Sequence, residues 1–200
     1  MEQRASPMLK FARIAFGLWL AVELLSWAKV LPLTLEFTWF GLVLTASVAW
    51  GSLELISWRL RKIGARSLWG WTFLAALLSQ CTDAGGDIFR LYGTYAWYDQ
   101  VAHFVGGAVV ALVFFDLFLA LEQRGVALLA LRLRGVVSVM GSMAVGSLYE
   151  LEEYSEDVLT GSHRFGSAFD TGNDMLLNTI GALVAVFLLV WFFRKRRQPQ

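Results

Sequence analysis

Charge and cysteine are what this chain has least of. Only 16% of its 200 residues are charged and the net charge is +1. A soluble domain carries about 25% charged residues, and a nucleic-acid binder shows a basic face, so neither class fits. The single cysteine, Cys81, excludes an internal disulfide framework and serves as small apolar filler. Also missing are a Cys/His finger spacing, a basic strip interleaved with aromatics, an HExxH pair, a G-x-S-x-G elbow, internal repeats and any long loop able to hold a soluble domain.

What remains is apolar. Hydrophobic residues make up 57% of the chain, more than a soluble domain of this length can bury. They fall in uncharged runs such as Phe37 to Leu53, Ser67 to Thr82 and Met175 to Phe193, near the length a helix needs to cross hydrocarbon. Arg4, Lys10 and Arg13 precede an apolar run from Ile14 to Ala28 that no A-x-A site closes, which has the form of an uncleaved signal anchor. The pattern predicts an all-α polytopic membrane bundle, one domain over residues 1–200, with six transmembrane helices at about 11–30, 37–58, 67–86, 99–122, 135–157 and 172–193.

All of the 17 Lys and Arg except Lys29, Arg90 and Arg164 then fall on one side of the membrane. By the positive-inside rule that side is the cytoplasm, with both termini on it and an even number of spans. The acids crowd on the other side, from Asp83 and Asp87 through Asp99 and the 150–157 stretch to Asp170 and Asp174, together with His103 and His163.

Three segments bring these groups to helical spacing. Asp99 and His103 lie one turn apart, and Gly107 and Ala111 continue their face. Ser138, Ser142, Gly146 and Glu150 form a second stripe, extended by Glu153. Asp170, Asp174 and Asn178 form a third, leading to Gly181 and Ala182. Small residues at spacing four let membrane helices approach closely, so the stripes are expected to face one another and to gather Asp99, His103, Glu150, Glu153, Asp170 and Asp174 into one extracytoplasmic pocket. Adjacent carboxylates cannot all stay ionised without a cation, shared protons or an arginine, and Arg90 and Arg164 are the nearby arginines. Histidine with several carboxylates is ligand chemistry for a divalent ion such as Mn, Fe, Zn or Mg.

The expected ligands are His103, Glu150, Asp174 and Asp170, with Asp99 or Glu153 as catalytic base and Asp83, Asp87, Arg90, Arg164 and Asn178 around them. The bland alternatives are a hydrogen-bonded Asp99–His103 lock, helix capping by Asp170 and Asp174, and Glu152, Glu156 and Asp157 as solvated charges.

Tyr98-Asp99 with His103-Phe104 and Gly106-Gly107, Glu150 with Glu153, and Arg164-Phe165-Gly166-Ser167 followed by Asp170, Asp174, Asn178 and Gly181-Ala182 resemble VanZ-like membrane proteins, and more nearly the YjdF-like proteins of the bacterial inner membrane. The resemblance runs over about residues 83–190. It implies a polytopic helical fold in the bacterial cytoplasmic membrane. VanZ-like proteins are associated with glycopeptide resistance, but Glu152-Glu153 stand where that pattern has a glutamine, so the role does not carry over. Three functions are expected to compete: a metal-assisted enzyme on a lipid or lipid-linked envelope substrate, a proton- or cation-coupled transporter, and a non-catalytic membrane scaffold.

Overall fold

Helix signals in the sequence act where the chain places them. Ser6 accepts a hydrogen bond from the Leu9 amide at 3.2 Å and Pro7 fills the first helical position, opening α1 (Pro7–Trp27). Thr38 caps α2 (Trp39–Lys62) through the Gly41 amide at 3.3 Å. α3 (Gly70–Ile88) leads through Arg90, at φ 55°, into the single-turn α4 (Leu91–Thr94). α5 (Tyr98–Arg124) and α6 (Leu131–Thr160) each end on a left-handed glycine, Gly125 and Gly161. α7 (Ala168–Arg197) closes the fold. The computed structural model describes residues 6–197.

The six long helices form a bundle with two apolar centres. One joins α1, α2, α3 and α5 around Phe16, Leu53, Leu60, Leu68 and Phe73. The other joins α5 and α7 through Ala111, Ala182 and Val186, with Val139 of α6 against it. α5 and α7 pack along much of their length, whereas α2 meets α5 and α6 only sparsely. Large apolar side chains cover the outside, among them Phe11, Ile14 and Leu18 on α1, Leu148 and Leu151 on α6, and Phe187 and Trp191 on α7. Such a surface belongs in lipid.

The expectation of six transmembrane helices is corrected here. Among the described residues three helices are long and apolar enough to span: α2, α5 and α7. Lys10, Arg13 and Glu23 leave no 18-residue stretch of α1 with fewer than three charges. Asp83, Asp87 and Gln80 dilute the short α3, and Arg132, Arg134 and the acids after residue 149 do the same to α6. With three qualifying helices, the even count of spans and the shared face for both termini no longer follow. The chain is a multi-pass helical membrane protein.

Candidate metal centre

His103 stands one turn into α5, buried at 6% exposure, and its two ring nitrogens look in different directions. Nε2 lies 3.4 Å from Asp99 Oδ1, on the preceding turn of the same helix, and 3.8 Å from Asp174 Oδ1 on α7. Nδ1 lies 3.7 Å from Glu150 Oε1 on α6 and 3.2 Å from Asn178 Nδ2. The ring also meets Tyr149 edge-on, with centroids 5.8 Å apart. Three helices converge here because their small residues permit it. A Cβ on Gly107 would strike the Asn178 backbone, one on Gly181 would strike the Phe104 carbonyl, and one on Gly146 would press on the Asn178 side chain. Ser142 Oγ, on the same stripe, donates to the Gly107 carbonyl at 2.8 Å.

Two overlapping sets result, Asp99–His103–Asp174 and His103–Glu150–Glu153, each with one ligand atom per residue and all of these atoms within 4.8 Å of one another. Both have the nitrogen-and-oxygen donors that suit a borderline or hard divalent cation, so the cluster is able to coordinate such an ion. A second feature points the same way. Both carboxylate oxygens of Glu150 and Asp174 Oδ1 are buried and accept no hydrogen bond among the described residues. A carboxylate removed from water without donors costs several kcal/mol; a cation on either edge of the His103 ring offsets that cost for the carboxylate it meets.

Next to it lies a differently balanced cluster centred on Arg164, in the loop between α6 and α7. Its Nε donates to Glu153 Oε1 at 2.9 Å, and Nη2 reaches Asp83 at 3.0 and 3.2 Å and the Tyr149 hydroxyl. Nη1 faces Glu156 Oε2 at 3.9 Å. Tyr92 donates to Asp83 Oδ1 at 2.8 Å. Burial first, and then the Asp83 charge, push this phenol well above its ordinary pKa, so it remains a donor. The loop is held by Asp157, whose Oδ1 accepts from Ser162 Oγ at 2.5 Å and the Arg164 amide at 2.7 Å while Oδ2 accepts from the Phe165 amide at 3.1 Å. Burial alone would raise the Asp157 pKa, but these three donors outweigh it and hold the carboxyl below its usual value.

The structure therefore brings together Asp99, His103, Glu150, Glu153, Asp174 and Asn178, with Asp83 and Arg164 beside them. Asp170 stands outside both sets, its carboxylate against Gly166, and the α7 start is capped instead by Ser167 Oγ, which accepts from the Asp170 amide at 3.2 Å. Asp87 accepts from the Glu36 and Phe37 amides at 2.5 and 2.8 Å and so fixes the segment before α2. Arg90 is exposed at the turn into α4. Glu156, expected to be solvated, is fully buried between Thr38, which donates to it, and Arg164. Tyr149, Glu153 and Glu156 share a helix face at spacings of four and three, a signal that marks two of the missed residues, Tyr149 and Glu156; the other two, Thr38 and Tyr92, carry none.

No curated protein matches this chain, and no solved structure does either. Residues 11–196 match the family model described as "Predicted membrane protein (DUF2238)", α1 and α2 included, and the chain belongs to that family.

Proposed function

We propose that this protein is a metal-dependent enzyme of the bacterial inner membrane that acts on a lipid or lipid-linked envelope substrate. The observation that carries the proposal is the set of unpartnered, buried oxygens of Glu150 and Asp174 on either side of His103. Elsewhere the same chain satisfies a buried acid with protein alone. Asp116 meets the Arg66 guanidinium at 2.6 Å, the Trp69 amide at 2.7 Å and the Thr72 hydroxyl at 2.8 Å. Glu23, Asp87 and Glu152 also carry buried oxygens without a hydrogen-bond donor, but those of Glu150 and Asp174 face the two nitrogens of one imidazole, and that placement marks them as groups set for an ion.

The division of the ring edges refines the roles. Glu150 and Asp174 lie toward opposite nitrogens of His103. Asp99, His103 Nε2 and Asp174 are assigned as ligands, because Asp99 is one-third exposed and gives an ion a way in. Glu150, 3.7 Å from Nδ1, is assigned the outer carboxylate of the ligating histidine; with Nε2 on the ion, Nδ1 carries the ring proton and the Asn178 amide presents its oxygen to it, the two amide atoms being interchangeable. Glu153 borders the adjoining cavity, where Asp99 and His103 also lie, and is assigned the general base toward water or a hydroxyl. A bound divalent ion supplies Lewis-acid polarisation of the substrate oxygen.

The VanZ-like and YjdF-like resemblance supports the bacterial inner membrane as the setting. Arg59, Arg61, Lys62, Arg66, Arg124, Arg132 and Arg134 sit at the end of the bundle remote from His103, and the positive-inside rule supports an extracytoplasmic site. Cysteine introduced at Ser162 in a Cys81→Ser background should react with an impermeant maleimide in intact cells; protection there until the membrane is opened would reverse the face.

Elemental analysis of the purified chain tests the centre. Stoichiometric divalent metal is expected in the wild type, with loss in His103→Ala and Asp174→Ala and retention in Glu153→Gln, which should nevertheless fail to complement a deletion. Wild-type protein without stoichiometric metal, or with the same content in the His103 and Asp174 variants, would sink the proposal.

A further inference from the structure

A cavity of about 630 Å³ leads away from the metal centre, within the roughly 300–1,000 Å³ of small-molecule sites. It exists because α2 stands off from α5 and α6 while α5 and α7 close tightly. Its two ends differ chemically. At one, Asp99, His103, Glu153 and Asn178 form the wall with Asp83, Tyr149 and Glu152; the other is lined by Ala49, Leu53 and Ile56 of α2 and by Val109, Val113 and Leu117 of α5, with Ser52 among them. Gly106 stands at the junction, where an added Cβ would have no neighbour closer than 3.9 Å, so its missing side chain keeps the passage open.

The dimensions restrict the occupant. From His103 to Leu117 the α5 wall is about 21 Å long at 1.5 Å per residue. That exceeds half of the roughly 30 Å hydrocarbon thickness of a bilayer. Averaged over this length, the 630 Å³ gives a mean cross-section of about 30 Å², which suits a single extended hydrocarbon chain. The wall also opens sideways: Val48 on α2 and Leu148 on α6 both line the cavity, yet are 58% and 63% exposed on the apolar exterior.

We propose that this cavity is a sleeve for one long hydrocarbon chain of a membrane amphiphile, entered laterally between α2 and α6, with the polar head left against Asp99, His103 and Glu153. The proposal rests on the metal-enzyme assignment for what happens to the head, and on the cavity alone for what holds the tail. An apolar chain entering this limb leaves lipid for a lining of similar polarity, so the gain comes from packing and from fixing the head next to the reactive groups. An acyl chain and an isoprenoid chain share this chemistry.

The test uses the full chain in nanodiscs and two probes, a palmitoyl lysophosphatidic acid and a long-chain isoprenyl monophosphate, each with a diazirine at the end of its tail. Photolysis should place the label on peptides containing Val48–Ile56 and Val109–Leu117. Gly106→Leu, which fills the junction, and Ser52→Trp, which fills the limb from α2, should each lose it while keeping the wild-type melting temperature and metal content. Labelling by one probe alone identifies the chain type and supports the sleeve. Label confined to outward residues such as Leu55 and Leu151, or label unchanged in both folded variants, overturns it. Metal content of the same samples separates the two ideas: labelled wild type without metal keeps the sleeve and removes the metal centre, and metal-loaded protein that takes up neither probe does the reverse.

Discussion

Removing the Arg164 guanidinium would leave Asp83, Glu153 and Glu156 facing one another with no cation between them, since its side chain is 5% exposed and reaches all three. Breaking a buried pair by deleting one partner costs about 3–5 kcal/mol, and Arg164→Ala should lower stability by that order in detergent-solubilised unfolding. Arg164→Lys should recover only part of the loss, because a lysine is a point charge without the fork that serves Asp83 and Glu153 at once. A Lys variant as stable as the wild type would show that the fork geometry plays no part, and one no more stable than Ala would show that charge alone restores nothing.

Asp157 adds a pH dependence. Its folded pKa is depressed, so its contribution is present above the unfolded carboxylate value of about 3.9 and is lost as the pH falls through the lower folded value. Amide exchange at Arg164 and Phe165, corrected for intrinsic rates, should show protection at pH 5–7 that declines below about pH 4. In Asp157→Asn the protection should be weaker and flat across that window.

At the scale of the helix, the close crossing of α5 and α7 is what holds His103 against Asp174 and Asn178. Gly181→Ala puts a methyl into the Phe104 carbonyl, a backbone atom that cannot swing aside. Overpacking of this kind costs about 1–3 kcal/mol, and by spreading the helices it should weaken metal binding as well. Gly172→Ala, on the same helix with nothing within 4 Å of the added carbon, should be neutral or stabilising by up to about 1 kcal/mol. Similar losses in both variants would point to backbone freedom rather than the crossing.

This crossing was legible in the sequence because it is periodic. Gly107 and Ala111, Gly146 and Glu150, and Asn178 and Gly181–Ala182 repeat every three or four residues, and helix geometry carries that spacing directly to one face. The span count was not so legible. Uncharged length was visible in Ser67 to Thr82, but the acids and glycines that follow keep α3 from qualifying. Nor could the sequence place Thr38 on Glu156, 118 positions away, or assign Glu150 and Asp174 to opposite edges of one imidazole, because both depend on tertiary packing.

For the molecule as a whole, the assigned ion acts as a cross-link. Asp99 and His103 come from α5 and Asp174 from α7, the pair of helices that pack most closely. Anything that binds the native state and not the unfolded one stabilises by RT ln(1 + [L]/Kd), about 2.7 kcal/mol at a hundredfold excess over Kd. Added divalent ion should therefore raise the melting temperature of chelator-treated wild type, and fresh chelator should reverse the rise. Asp174→Asn should give no such shift. Glu150→Gln separates an orienting role from a ligating one: if Glu150 only orients His103, the full shift should return at about 10–100-fold higher metal concentration, the usual cost of losing an outer partner. If instead it fails to return at any concentration, Glu150 is itself a ligand, and the ion sits on the Nδ1 edge with Glu153. An identical shift in the wild type and in Asp174→Asn would mean that the ion stabilises the protein from somewhere else.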